Sequence, residues 1–376
     1  DLKYEDPSLK NEPSLNSRLL YNDRYFGQLI QVTTSYETTS GTIPQQEFTY
    51  LKVEAGQGIY TWIDYNNNGI QELEEFEVAQ FSDQAMYVRI FLPNQVFRKT
   101  HQNKFSQSVI LNANQWQNEK GFKKFLSYFY NQTSFLMDRK ILRGNANFDL
   151  NPFSSSDEDL LGLNSSIRNS LFYNRGKQDH SVTYTYLKNR AKNLLSVGSQ
   201  ESNNQSHQIQ YAHLVQKSWL FGFAGKTMES ETLSENYSAK NFLLKGYQLA
   251  PKVSYLFSRN ASWDLFYEFQ DKKNQINDKE ALQQHRLGTS FTYNSEKKFT
   301  MNGEFSLYQN DFTGDSLSPV AYQMLEGLQA GQNLTWRLLV QKNLTQYLDI
   351  NVNYEGRKSE ESKTIHTGSV QLRAYF

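Results

Sequence analysis

The chain has 376 residues, no cysteine, and 39 basic against 39 acidic side chains, so composition offers no support for a disulfide framework, a thiolate metal site or a nucleic-acid partner. Mean hydropathy is −0.71, and the absence of any run of about 18 apolar residues excludes a helical membrane span. A membrane β-barrel escapes both objections, because only one side chain in two faces lipid, and the 24 Tyr and 25 Phe suit its interfacial girdles.

The chain opens on Asp1 with neither an initiator Met nor a signal peptide, so it reads as a processed or partial chain whose targeting signal lies upstream. Residues 1–39 are expected to hold the first barrel strands. Tyr25 to Tyr36 alternates imperfectly through Phe26, Leu29, Gln31 and Thr33, and Ser17 to Tyr21 supplies a further candidate. Residues 40–100 then form an insertion.

Within it, Asp64-Tyr65-Asn66-Asn67-Asn68-Gly69-Ile70-Gln71-Glu72-Leu73-Glu74-Glu75 matches the calcium-loop pattern D-x-[DN]-x-[DN]-G-x5-E at every specified position. Ca²⁺ takes about 6–8 oxygens. The spacing offers the Asp64 carboxylate, the amide oxygens of Asn66 and Asn68, the Ile70 carbonyl, Glu72 directly or through water, and bidentate Glu75. Gly69 provides the turn, and the two neutral amides point to modest affinity suited to a calcium-rich exterior. An EF-hand enters its loop from a helix, whereas Ile59-Tyr60-Thr61-Trp62-Ile63 is strand-like, and Leu73, Phe76, Ala79 and Gln80 can form one or two helical turns after it. The expectation is a strand–loop–helix site with a structural role, ordering a loop domain. An Asn/Gly turn solvated by acids, for which Asn66 to Gly69 alone would suffice, is the alternative.

From residue 101 to 376 the chain reads as barrel strands. Thirteen segments alternate after residue 102: 102–113, 125–137, 162–173, Val182 to Tyr186, 205–215, Trp219 to Phe223, Val253 to Phe257, Trp263 to Phe269, 282–293, Phe299 to Leu307, Leu334 to Val340, Leu348 to Tyr354, and a last strand ending at Phe376. With those before residue 40 the count reaches at least fourteen, an all-β, antiparallel transmembrane barrel with an extracellular insertion. If the last strand descends to the periplasm, the connectors at 174–177, 216–218, 259–261, 294–298 and 343–345 are periplasmic, and all are short. Those at 138–161, 189–204, 230–241, 271–281, 309–332 and 357–363 face outward, and all are longer, the asymmetry of outer-membrane barrels. Residues 40–100 then fall outside the cell. In the connector 309–332, Ser318 as N-cap and Pro319 at the first position predict a short helix running to Gly327.

The six histidines, His101, His180, His207, His213, His285 and His366, are scattered with no Gly-x-Ser-x-Gly elbow, and Gly56-Gln57-Gly58 is too short to cradle phosphate. No enzyme is expected. Lumen positions Asp264, Glu268, Glu304, Arg337, Asp349, Glu355 and Arg373 mix both signs, which fits either a weakly selective wide pore or a lumen closed by salt bridges and loops.

At Tyr60 to Gly69 with Glu75-Phe76-Glu77-Val78-Ala79, at Tyr354-Glu355-Gly356-Arg357-Lys358 with His366-Thr367-Gly368, and at the closing Arg373-Ala374-Tyr375-Phe376, the chain resembles large outer-membrane barrel proteins of the Bacteroidetes. The resemblance covers most of the chain. It implies the C-terminal portion of a longer polypeptide, an outer-membrane location, and membership in a multi-protein surface or secretion assembly, with no biochemical activity attached. The expected function is a non-enzymatic structural or transport subunit of an envelope complex, with membrane lipid and other envelope proteins or lipoproteins as partners. An independent porin-like channel and a soluble calcium-binding adhesin are the alternatives.

Overall fold

Alternation with period two gives every segment an apolar and a polar face, and a sheet of such segments must wrap so that the faces meet different media. A computed structural model describes residues 14–375, apart from 144–147, 154–158, 178, 196–197, 296–298, 346 and 361. The closing Phe376, expected to end the last strand, lies outside the described residues.

The strands are β1 (Asn16–Tyr25), β2 (Ile30–Lys52), β3 (Tyr60–Trp62), β4 (Phe76–Val78), β5 (Tyr87–Asn112), β6 (Phe129–Leu142), β7 (Leu160–Tyr173), β8 (His180–Leu195), β9 (Gly198–Val215), β10 (Trp219–Ser234), β11 (Phe242–Leu256), β12 (Ala261–Asn274), β13 (Ala281–Ser295), β14 (Phe299–Thr313), β15 (Gly331–Thr345), β16 (Leu348–Ser359) and β17 (Ile365–Ala374). Two short helices, α1 (Phe122–Leu126) and α2 (Pro319–Leu325), lie in connectors. Apart from the small β3 and β4, the strands make one antiparallel up-and-down sheet, with β2 passing directly to β5. By register, β1 pairs with β2 and β17 with β16 among the described residues. Every strand expected from the sequence is present, those of the first 39 residues included.

The register keeps one medium on each face. Met301, Val340, Val352 and Val370 stand side by side across β14 to β17, as do Phe221, Val253 and Leu265 across β10 to β12. On the opposite face Glu304, Arg337 and Glu355 align, and Glu268 pairs with Arg286. That polar face is the inner one. Helix α2, capped by Ser318 Oγ accepting from the Ala321 N–H at 3.0 Å, packs Val320, Ala321, Met324 and Leu325 against Leu244 and Leu282, with Phe242 and Phe312 beside them. An apolar outer stripe around a polar interior is the fold of a transmembrane β-barrel.

The connectors differ from expectation in three places. Residues 40–52 and 87–100, expected in the insertion, prolong β2 and β5 as a paired hairpin from Ser40↔His101 to Lys52↔Tyr87, so only 53–86 stands outside it. The long loop expected at 189–204 is mostly strand, because β8 and β9 run on in register to Leu195↔Gly198. At the other end, residues 113–128 make a longer connector than its neighbours, holding a 3₁₀ turn at Ala113–Trp116 and α1. A further segment was not anticipated. Residues 148–153 fold back along the outer face, where the Phe153 ring lies 5.1 Å from Phe105, Asp149 pairs with Arg139 at 2.8 Å, and the Tyr36 hydroxyl donates to the Leu150 carbonyl at 2.7 Å.

Candidate functional site

The Asp64–Glu75 loop leaves β3 and returns through a 3₁₀ turn at Leu73–Glu75 into β4. The helical turns expected at Leu73, Phe76, Ala79 and Gln80 stop there. Phe76–Val78 is a strand paired with Tyr60–Trp62, and extended backbone lets Phe76 stack on Tyr50 at 4.0 Å and meet Tyr87 edge-on at 5.0 Å.

Inside the loop, Asp64 Oδ1 accepts from the Asn68 N–H at 3.1 Å and Oδ2 from the Gly69 N–H at 2.8 Å. Asn66 Oδ1 accepts from the Asn68 N–H at 3.0 Å, and Asn68 Oδ1 from the Ile70 N–H at 2.6 Å. Gly69, at φ +70°, takes the left-handed turn that the pattern reserves for glycine. These bonds draw Asp64, Asn66, Asn68 and Ile70 into one turn, and Asn66 Nδ2, donating to Glu72 Oε2 at 2.8 Å, brings in Glu72. Glu75 is held elsewhere. It is 1% exposed, its Oε2 accepting from Trp62 Nε1 at 2.7 Å and its Oε1 from the Tyr65 N–H at 3.2 Å. Among the described residues no three acidic or histidine side chains gather closely enough to hold a metal. The donor set is all oxygen and suits a hard cation, but full ligation requires Glu75 to release Trp62.

The insertion is tied across the mouth of the barrel. Asp83 makes a two-point ion pair with Arg357 of β16, Nη2 to Oδ2 being 2.7 Å, and the same guanidinium lies 4.2 Å over the Phe81 ring. The Ser82 N–H donates to Glu355 at 3.3 Å. Lys240, between β10 and β11, reaches Glu77 at 2.8 Å and the Phe76 carbonyl at 2.9 Å. From α2, the Tyr322 hydroxyl donates to the Val78 carbonyl at 3.1 Å and accepts from the Gln80 N–H at 3.2 Å. Burial pushes the Tyr322 phenol up to about 12, so it stays a neutral hydrogen-bonding group, and burial beside Glu77 raises that of Tyr65. Against the insertion lie cavities of about 300 and 280 Å³, one beside Tyr50, Glu77, Arg89 and Lys240, the other beneath Phe81 against Tyr308, Arg337 and Arg357.

Below the cap, the inner wall is crossed by ion pairs. Lys252 meets Asp264 at 2.8 Å, Arg286 meets Glu304 at 2.6 Å and Glu268 at 3.9 Å, and Arg337 meets Glu355 at 3.6 Å. Asp349 stands opposite Arg373 in register. All the inward charges read from alternation therefore share one face. Asp83, Arg357, Lys240 and Tyr322 were not legible as partners, since each pair is far apart in sequence and no local pattern marks it.

The histidines do not assemble with one another at the mouth. His101 is buried under Phe148, with its Nε2 at 2.8 Å from the Thr38 hydroxyl, and His366 lies beside Tyr354 on the outer wall.

No protein-family model matches the chain, and no curated protein matches it. Among solved structures, "NanC porin structure in rhombohedral crystal form" aligns over 56% of this chain and 94% of its own, at 14% identity and a TM-score of 0.31. Likeness at that level says nothing of function, and the architecture rests on the register described above. The wall is that of an outer-membrane β-barrel.

Proposed function

We propose that the chain is a non-enzymatic structural or transport subunit of a multi-protein envelope complex, with a mouth closed by its own insertion. The carrying observation is that segment 53–86 binds Lys240, α2 and β16 at once, so that no single loop movement clears the lumen. An independent diffusion pore would have no use for such a cap. A second observation favours a lateral neighbour. The outer face of β6 and β7 carries Asn131, Thr133 and Asn169, joined by bonds of 2.7 to 3.3 Å, where plain hydrocarbon would favour aliphatic side chains. In this reading the short-connector end is periplasmic and residues 53–86 lie outside the cell.

Calcium belongs to the same proposal. Asp64, Asn66, Asn68, Ile70, Glu72 and Glu75 would hold one Ca²⁺ that stiffens the insertion. Affinity capture from detergent-solubilised membranes tests the subunit reading. Stoichiometric envelope proteins or lipoproteins are expected with the barrel, and recovery of the chain alone after mild crosslinking would overturn it.

A further inference from the structure

Three places on the outer wall repeat one arrangement. Tyr184 on β8 bonds His207 on β9, with Oη to Nδ1 at 2.8 Å; Tyr267 on β12 bonds His285 on β13 at 2.6 Å; Tyr354 on β16 bonds His366 on β17 at 2.8 Å. The diagonal is the same each time. Each histidine pairs in register with the residue two beyond the tyrosine, namely Tyr186, Phe269 or Gly356. A second ring covers each imidazole, from Tyr186 at 4.9 Å, Phe269 at 5.0 Å and Trp336 at 5.5 Å. At the third site Trp336 replaces the missing ring by lying over Gly356, where a Cβ would come within 2.3 Å of the indole.

The three sites lie at similar height. From His207 the register runs through Thr227 and Tyr247 to Asp271, two residues past Phe269, the partner of His285. From His285 it runs through Gln309 and Gln332 to Glu360, four residues past Gly356, the partner of His366. Both drifts have the same sense, and tilted barrel strands slip by about one residue per neighbour. Toward the short-connector end each site continues into the apolar stripe, at Ile209, Leu265 and Leu287, and Val352 and Val370. Toward the long-connector end Lys188 and Lys358 stand exposed four residues past their tyrosines, whereas at the second site that position holds the buried Asp271 and the exposed lysine is Lys273, two residues further on. Lys245, in the same belt, is paired with Glu229 at 3.1 Å, whereas those three make no ion pair among the described residues.

We propose that these Tyr–His pairs with Lys188, Lys273 and Lys358 are sites for the terminal phosphomonoester headgroups of anionic lipids in the leaflet at the long-connector end, as distinct from the phosphodiesters of zwitterionic lipids. With the tyrosine hydroxyl donating to Nδ1, the proton of the neutral ring sits on Nε2, a donor on the same outer face as the lysine, which follows two residues on in register at the first and third sites and four at the second. Phosphate oxygens accept from both. The boundary between apolar stripe and charge is where a bilayer places such groups. The inference needs only the membrane wall and is independent of the cap and of any protein partner.

The test is carbethoxylation of histidines in protein reconstituted into phosphatidylcholine vesicles, with or without phosphatidic acid. Phosphatidic acid is expected to slow modification of His207, His285 and His366 about fivefold. His213, on the same outer face toward the opposite end, should be unaffected, and inorganic phosphate added to pure phosphatidylcholine vesicles should protect none. The Lys188→Gln, Lys273→Gln, Lys358→Gln triple variant, checked for heat-modifiable gel mobility, should lose the protection. Equal protection of His213, protection by free phosphate, undiminished protection in the triple variant, or no protection at all would each overturn the proposal.

Discussion

The wall from β10 to β17 and the wall from β2 to β7 share one strand pattern yet present different outer faces. The first shows Trp219, Phe221 and Phe223, then Trp263, Leu265 and Tyr267, each about two-fifths exposed, as side chains that await lipid. The second interrupts its aromatics with Thr34, Gln107, Asn131, Thr133 and Asn169, which bond one another across strands, and with segment 148–153 laid over its upper part. Burying unpaired amides in hydrocarbon costs several kcal/mol, roughly 2–7 on transfer scales, so the cross-strand bonds are what permit them there. Alternation thus decides which side chains face outward but not what they face. One wall presents apolar side chains outward, the other polar ones bonded to one another, which is the difference on which the proposed lateral neighbour rests.

The two walls meet at the mouth, where the insertion carried by β2 and β5 rests on α2, and α2 rests on Leu244 and Leu282 of the far wall. Met324, 0% exposed, is the keystone of that contact. Met324→Ala should cost about 2–5 kcal/mol of α2 docking. Limited proteolysis is expected to cut both 314–330 and 53–86 sooner, while the heat-modifiable barrel band persists. Cleavage confined to α2 would mean that the walls are not joined through it.

Arginine on a lipid-facing strand should cost about 2–4 kcal/mol at the bilayer midplane. Leu265→Arg is expected to lose that much in reversible unfolding from vesicles, and Thr133→Arg clearly less. Equal losses would erase the distinction between the walls. The calcium loop should show a smaller, conditional effect: chelator should speed proteolysis of 53–86 in the wild type and change the fluorescence of Trp62 as Glu75 returns to its indole. The Asp64→Ala, Glu75→Ala variant should lose both responses, and a wild type indifferent to chelator would remove the site. The smallest effect on stability, under about 1 kcal/mol for an exposed polar site, is expected from Asn131→Leu with Asn169→Leu, which should nevertheless lose co-purifying neighbours.

Much of this architecture was legible in the chain, because strands whose two faces meet water and lipid must alternate, as Leu348, Ile350, Val352 and Tyr354 do. The N-cap and proline of α2 were legible for a similar reason: Ser318 and Pro319 act within a single turn. Where local preference and tertiary packing disagree, the reading failed. Phe76 to Gln80 has the spacing of a helical turn, yet Phe76 is a strand residue because Tyr50 and Tyr87 claim its ring. The insertion's edges were blurred as well, since Ser40 and Gly41 look like turn residues but pair with His101 and Thr100 in a hairpin. Asp64, Asn66, Asn68 and Ile70 are drawn into one turn because neighbours in sequence bond one another. The spacing could not show that Glu75 is held by Trp62, nor that Asp83 finds Arg357, because those contacts exist only once the chain is folded.

Closure is the claim on which the functional account depends, and single-channel recording in planar bilayers tests it most directly. The wild type should show little steady conductance. Replacing residues 54–85 by a short Gly/Ser turn should open a stable channel, and Asp83→Ala should give brief openings of the same size. A wild type that conducts as fully as the shortened protein would contradict the closed mouth.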